Sequence, residues 1–346
     1  MKASLFYKHG EPDVLEYKDF PTPVPSPNQV LVEVKAVAMN HLDLFVRKGI
    51  PGMKLEMPHI LGSDISGVVK EVGSSAELDI EKNEKVVIDP GLSCGSCEFC
   101  RMGQQSLCPS YKIIGEHVRG GYAEYIAVNA ENIIPVPKES GLDFVQAAAV
   151  PLTFMTAWRL LVTKGGVHLG DDVLIIGIGG GVAVAALQIA KFAGARVFAV
   201  SSSDTKLEKA RLLGADFLIN RNNTPDYHKE VFRLTNGRGV DIVLDSVGQA
   251  TWERSLKSLR KGGRLVTPGA TSGSTATTNV NLIFWKQLEI LGSTMGSRSE
   301  LRTVLKLVWG QHLRPVVDRV FPLSEAASAH RYLESAEQFG KVVLRP

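Results

Sequence analysis

Residues 171–200 read DDVLIIGIGGGVAVAALQIAKFAGARVFAV, and the fold turns on how this stretch is read. The run 171–177 is apolar without alternation, the pattern of a strand covered on both faces. Residues 182–194 form an apolar, alanine-rich helical segment closed by Gly194. RVFAVSSS (196–203) returns to strand. Strand, glycine turn, helix and strand in that order make a dinucleotide-binding unit. The spacing Gly177-x-x-Gly180-x-x-Ala183 departs from G-x-G-x-x-G, with Gly179 and Gly181 filling the turn. Alanine serves at the last position, where only close helix packing is required. Gly177, Gly179, Gly180, Gly181 and Val182 are therefore the expected pyrophosphate contacts, where bare backbone and a helix N-terminus meet the phosphates.

Working outward, the second strand of this unit ends in VSSSDTKLEKA (200–210). An acidic residue at this strand end binds the ribose 2'-hydroxyl of NAD(H). Ser201, Ser202 and Ser203 stand there instead, with Lys206 one helical step beyond; hydroxyls and an ammonium suit a 2'-phosphate, so NADP(H) is expected over NAD(H). Asp204 is close enough to swing in, and serine-rich turns also cap helices. ADFLIN (215–220), VDIVLDSVG (240–248) and GGRLVTPGA (262–270) supply further strands with helical segments between them. This alternation predicts a parallel, doubly wound α/β sheet. ATSGSTATTN (270–279) reads as a surface loop. The first 150 or so residues differ: VLVEVKAVAM (30–39) alternates as a half-buried strand, and short strands separated by Gly, Pro and charged turns follow it.

The only four cysteines lie close together, as Cys94-x2-Cys97-x2-Cys100-x7-Cys108. In a reducing compartment such a cluster is more often a metal site than a disulfide framework. Four thiolates complete a tetrahedral Zn2+ and leave no position for water or substrate, so the expectation is one structural zinc. Gly91, Gly95 and Gly103 suit a loop wrapped around an ion. A nucleic-acid-binding zinc ribbon would need a basic and aromatic surface that Glu98, Phe99 and Arg101 do not make.

Of the 346 residues, 44% are hydrophobic and 22% charged, and the formal net charge of +3 is dispersed. No basic stripe for nucleic acid or for a membrane surface is present. No apolar stretch reaches the roughly 18 residues of a membrane span, and the N-terminus has no secretory pattern. A cytoplasmic protein acting on a small molecule is expected.

With these features in place, the chain resembles the medium-chain dehydrogenase/reductase superfamily of zinc alcohol dehydrogenases and quinone oxidoreductases. The resemblance runs from MKA (1–3) through the cysteine lobe, GGYAEYIAV (120–128), LGADFLIN (213–220) and DSVG (245–248) to GKVVL (340–344). It implies a GroES-like β-barrel catalytic domain, residues 1–152 and 297–346, carrying the zinc lobe at about 91–110. A Rossmann domain, residues 153–296, is inserted in it, with substrate in the cleft between the two. It also implies a homodimer or homotetramer, with LEILGSTM (288–295) as a candidate edge. Further cofactor contacts carried over are His41, Thr156, Arg221, Gly248 and Gly269, and Lys341 as a basic residue reaching back to the phosphates. Phe45, Phe154, Trp158 and Trp285 are candidate cleft residues or core.

The resemblance breaks at the catalytic zinc. Alcohol dehydrogenases of the family hold it with a Cys near the end of the strand 30–39, the His of a Gly-His-Glu motif, and a later Cys or Asp. Here those positions are Asn40, Ser63 (followed by Asp64) and about Leu152, and the proton-relaying Ser or Thr is Leu42. An amide, a hydroxyl and an alkyl chain do not make a zinc site. Asn40-x-x-Asp43 and the TAW of Thr156–Trp158 instead resemble the zinc-free quinone oxidoreductase branch. The expectation is an NADP(H)-dependent reductase of a carbonyl or activated C=C substrate. Asn40 would donate to the substrate oxygen, Asp43 would hold the local geometry, and Thr156 would pack on the nicotinamide. Two alternatives stay open: a secondary-alcohol or polyol dehydrogenase whose metal is held by some of His41, Asp43, His59 and Asp64, and an NADPH-binding protein without turnover. The proton donor is not assigned; His41, His59, Asp64 and solvent are the candidates.

Overall fold

The computed structural model describes residues 1–76 and 80–346, which divide into two compact units. One comprises Met1–Leu152 and Ser297–Pro346, the other Thr153–Gly296.

The second unit is a six-stranded sheet with every pairing parallel. Its spatial order is Phe217–Asn220, Arg196–Ser201, Asp172–Ile176, Val240–Asp245, Leu259–Thr267 and Glu289–Gly292. The two central strands are buried at every residue, because helices cover both faces of a parallel sheet. Chain order reverses between those strands, and a doubly wound sheet opens its ligand crevice at such a switch point. The helix Gly181–Phe192 follows Asp172–Ile176 after a turn in which Gly177 has φ +72° and Gly179 has φ +130°. Those are angles a side chain resists, which is why glycines stand there. Residues 270–279 form an irregular and largely exposed segment, as expected.

In the first unit, a seven-stranded sheet is organised around Gln29–Ala38. That strand pairs antiparallel with Asp64–Val72, Tyr125–Asn129 and Lys341–Arg345. The strand Lys341–Arg345 also pairs in parallel with Val317–Pro322, so it lies inside the sheet and not at its rim. A three-stranded sheet joins Glu16–Asp19, Lys2–Phe6 and His59–Ile60. Alternate residues of Gln29–Ala38 enter one large aliphatic core until Val37, after which every residue to Asn40 is buried. The fold is thus a GroES-like unit and a Rossmann unit, each with its own core.

The structure places two of the residues singled out above. His59, a candidate metal ligand and proton donor, is buried in a strand with Nε2 3.2 Å from the Gly115 carbonyl oxygen and its ring edge-on to Phe6. Trp285, read as cleft or core, is 71% exposed on the helix Val280–Lys286 beside the edge strand Glu289–Gly292. Among the described residues, no helix is long and apolar enough to cross a membrane.

Candidate functional site

The four cysteines converge. Cys94 Sγ lies 3.5 Å from Cys108 Sγ and 3.9 Å from Cys100 Sγ, and the four sulfurs lie within 4.8 Å of one another. A tetrahedron with Zn–S bonds of 2.3 Å has edges of about 3.8 Å, so the set fits one zinc ion. The backbone N–H of Cys97 donates to Cys94 Sγ, and Gly95 and Gly103 take φ of +71° and +72° at the turns. Among the described residues this is the one group of three or more His, Cys, Asp or Glu whose ligand atoms converge. His41, Asp43, His59 and Asp64 do not gather around a common point.

The positions corresponding to the family's catalytic ligands are occupied by a different device. The strand Gln29–Ala38 ends two residues before Asn40, which starts the helix His41–Lys48. An Asn at that point ordinarily turns its side chain onto the helix N–H groups. Asp43 and Asn40 stand as a capping box: Asp43 Oδ2 accepts from the Asn40 backbone N–H at 2.7 Å, and its Oδ1 accepts from Gly62 N–H at 3.0 Å. The Asn40 amide also reaches beyond the helix. Lys341 Nζ donates to its Oδ1 at 2.6 Å, and its Nδ2 donates to Asp64 Oδ2 at 3.0 Å. An ammonium only donates and a carboxylate only accepts, so the orientation of the amide is fixed without ambiguity. One Nδ2 hydrogen lies outside this network.

Asp64 completes the assembly. Its Oδ2 also accepts from Lys341 Nζ at 2.8 Å, and its Oδ1 accepts from Leu152 N–H at 2.7 Å. The three stretches around residues 40, 64 and 152 are thereby tied together by one carboxylate and one internal cation. Asn40, Asp43, Asp64 and Lys341 are all at least nine-tenths buried. Ser63 is buried beside them, and its Oγ has no hydrogen-bond partner. This donor set does not fit a catalytic zinc, because its one carboxylate is already saturated by an ammonium and by N–H groups. Lys341 requires a correction: expected at the cofactor phosphates, it is 4% exposed with its ammonium in a buried ion pair.

Burial pushes the Asp43 carboxyl up to about 6, against the hydrogen bonds from Asn40 and Gly62 and the Lys341 charge. Glu116, buried in the segment Gly115–Val118, is pushed up to about 7 by burial first and by the Asp43 charge second. Sequence reasoning passed over Glu116, and also Tyr122, His330 and Arg47, all fully buried polar groups of the same unit. No local pattern marks them, since Arg47 and His330 meet across 283 positions of chain.

The expected cofactor residues gather at the C-terminal edge of the six-stranded sheet. Gly180 precedes the first turn of Gly181–Phe192, whose opening N–H groups, those of Gly181 and Val182 among them, have no intrahelical acceptor. A Cβ built on Gly180 meets nothing nearer than 4.0 Å, so the backbone there is open to a close ligand. Ser201 Oγ accepts from Ser203 N–H, and Ser203 Oγ caps the helix Asp204–Leu212 through Lys206 N–H. Ser202 is exposed, and its carbonyl accepts from the Asn222 side chain. Arg221 follows the neighbouring strand, its N–H bonded to Ser201 O. Asp204, the carboxylate able to swing toward a ribose, is held by Asn220 Nδ2 at 2.7 Å. Gly248 and Gly269 lie just past the next two strands; the carboxylate of Asp245 holds the loop before Gly248 through Val247 N–H, Gly248 N–H and Thr251 Oγ1. Thr156, on the helix Pro151–Trp158, is 4% exposed and its Oγ1 has no partner. These residues fit a nicotinamide dinucleotide. His41 stands at the first position of its helix in the other unit.

Residues 26–138 match the model of the alcohol dehydrogenase GroES-like domain, and residues 181–310 match that of the zinc-binding dehydrogenases. An NAD-dependent alcohol dehydrogenase of Sulfolobus acidocaldarius is 34% identical over 100% of this chain and 99% of its own. An acryloyl-coenzyme A reductase of Sulfurisphaera tokodaii is 29% identical over 95% and 96%, and a quinone oxidoreductase of Homo sapiens 27% over 99% and 97%. The crystal structure of an NAD-dependent alcohol dehydrogenase superposes with a TM-score of 0.96 at 49% identity, with both chains covered completely.

Proposed function

The chain belongs to the medium-chain dehydrogenase/reductase superfamily, as an oxidoreductase of the zinc-type alcohol dehydrogenase-like group, and from that premise we propose that it reduces a carbonyl or activated C=C compound with NADPH, without a catalytic zinc. One observation carries this reading: at the positions of the family's catalytic ligands, Asn40 is clamped between Lys341 and Asp64. The nicotinamide, when bound, supplies the hydride. The protein's part is to meet negative charge growing on the substrate oxygen. The spare Nδ2–H of Asn40 and the unpartnered Ser63 hydroxyl are the donors available for it. The Asn40 donor is held in advance by Lys341 and Asp64, and one such donor is worth about 3 kcal/mol of barrier. That suffices for a quinone, an enone or an activated ketone. Oxidation of a plain alcohol gains more from a metal that acidifies the hydroxyl. The name of the acryloyl-coenzyme A reductase among the relatives supports the same direction of reaction.

The preference for NADP(H) rests on Ser201, Ser202 and Arg221 at the strand end, with Asp204 engaged by Asn220. The archaeal relative's name favours NAD(H). A small molecule is the expected partner. A homodimer or homotetramer is inferred from the edge strand Glu289–Gly292 and the exposed Val280, Phe284 and Trp285 beside it.

The test is oxidation of NADPH and of NADH, each with a panel of quinones, enones and aryl ketones. Turnover of at least one acceptor, faster with NADPH, is expected. Binding of the dinucleotide with no turnover of any acceptor leaves a non-catalytic binding protein. Oxidation of secondary alcohols that depends on added metal leaves the dehydrogenase reading.

A further inference from the structure

Behind Asp43 runs a line of buried polar side chains for which the reaction as described has no use. Arg47, one helical turn after Asp43, is fully buried. Its Nε donates to Gly10 O at 3.0 Å, one terminal nitrogen donates to Glu334 Oε1 at 2.6 Å, and the other lies 3.1 Å from His330 Nδ1. A guanidinium has no acceptor, so His330 Nδ1 must be the bare nitrogen and its proton sits on Nε2. That Nε2 lies 3.3 Å from the Tyr122 hydroxyl, which must then accept from it. The hydroxyl's own hydrogen is turned away from His330.

The geometry around Tyr122 decides where that hydrogen goes. Its ring packs so closely on Gly62 that a Cβ there would lie 2.5 Å from Cδ1, and Gly62 N–H is itself a donor to Asp43. Burial first, and the nearby Asp43 charge second, hold the phenol's pKa well above its ordinary value, and both Tyr122 and Asp43 rest against Gly62. Each of the two hydrogen bonds thus has one allowed direction, Arg47 to His330 and His330 to Tyr122, which leaves the phenol hydrogen for the neighbouring Asp43 carboxylate.

We propose that Arg47, His330 and Tyr122 are positioning residues that act through Asp43, fixing it as an acceptor and thereby aiming Asn40 and the Gly62–Asp64 strand start. The line does not conduct protons to solvent, because it ends in a guanidinium that stays charged. Its polarity is locked from the Arg47 end. His330 is kept neutral across the working range, its pKa pushed down to about 3 by burial and by the Arg47 charge. Asp43 feels Lys341, Asp64 and Glu116 from other elements, besides Tyr122 and the two backbone donors, so losing one donor shifts a balance already near neutrality.

The part of this inference that concerns turnover rests on Asn40 as donor, so the test has a readout without substrate. In the full chain labelled with 13C and 15N, His330 should give the signals of an Nε2–H tautomer, and Asp43 should titrate. In Tyr122→Phe the Asp43 midpoint should rise by about 1–2 units, the equivalent of one hydrogen bond to a charged group. With any acceptor that is turned over, the acid limb of kcat should rise with it, and kcat at neutral pH should fall about tenfold while the KM for NADPH stays within about twofold. An Nδ1–H tautomer, or an Asp43 midpoint unmoved in a folded Tyr122→Phe, overturns the proposal whatever the activity. A shifted midpoint with no turnover by the parent protein leaves the positioning intact and overturns the reductase reading instead. Where Tyr122→Phe does not fold, the wild-type tautomer and the Asp43 titration in His330→Gln take its place.

Discussion

Two places in the first unit draw separate stretches of chain onto a positive charge, and they obtain it differently. The cysteine lobe gathers four sulfurs from fifteen consecutive residues, a set that fits a zinc ion bringing its charge from outside. The site around Asn40 gathers residues separated by as many as 301 positions, and Lys341 brings the charge with it. Ligand charge explains the difference. Four thiolates in one small volume repel one another by far more than one ammonium offsets, whereas the Asp64 carboxylate is matched by one. A zinc-type fold therefore keeps its metal where the ligands are anionic. It can replace the ion with a side chain where they are not.

The comparison is tested most severely at the lobe. Protein purified without added metal should carry one zinc per chain, and Cys100→Ser should lose it along with at least about 3 kcal/mol of stability, a drop of roughly 6–12 °C in Tm. Two zinc ions per chain, measured by elemental analysis, would break the contrast outright. Lys341→Met comes next. It leaves Asp64 buried and unpaired, and should cost about 3–5 kcal/mol in chemical denaturation. Adding Asp64→Asn should recover about 2 kcal/mol of that; strict additivity would show that the ammonium does not stand in for a bridging ion. Asn40→Ala should lower kcat for the best acceptor by about 10²–10³-fold with the KM for NADPH unchanged, and equal turnover would remove Asn40 from the chemistry.

The smallest effect concerns Glu116. Its carboxyl is held at about 7 in the folded chain against an ordinary 4.5, so the folded state binds its proton more readily than the unfolded state does. The resulting stability is complete below about 4.5 and is lost as pH rises through about 7. Glu116→Gln should therefore raise the unfolding free energy by about 1–2 kcal/mol at pH 8.5 and leave it unchanged at pH 4. A variant equally stable to wild type at both values would place Glu116 in a wetter setting than its burial indicates.

What could be read from the sequence followed from how local each signal is. The unit containing residues 171–200 announces itself through uninterrupted apolar strands and a glycine turn, all within thirty residues. The zinc lobe does so through spacing alone. Asn40 is marked by the family resemblance, through the missing zinc ligand and the Asn40-x-x-Asp43 pair. That its amide leaves the helix to meet Lys341 and Asp64 depends on strands paired across almost the whole chain. Lys341 was assigned to the phosphates because a lysine near the tail carries no sign of which anion it will find. Nothing in the sequence singles out His330 or Arg47. Only the fold reveals that they are partners.

The strand Lys341–Arg345 lies between Gln29–Ala38 and Val317–Pro322. On the ribosome it appears roughly 190 residues after Leu152, which at about 5–20 residues per second is some 10–40 s of synthesis. Throughout that interval the Val37–Ala38 end of the strand lacks its partner on the edge that Tyr125–Asn129 does not cover, and Asp64 has no counter-charge. The polypeptide segment that closes the sheet is the same one that delivers the ammonium. A nascent chain thus gains the counter-charge of Asp64 in the act of completing this sheet, and a product truncated before Lys341 keeps both an unpaired carboxylate and an unpaired strand end at Val37–Ala38.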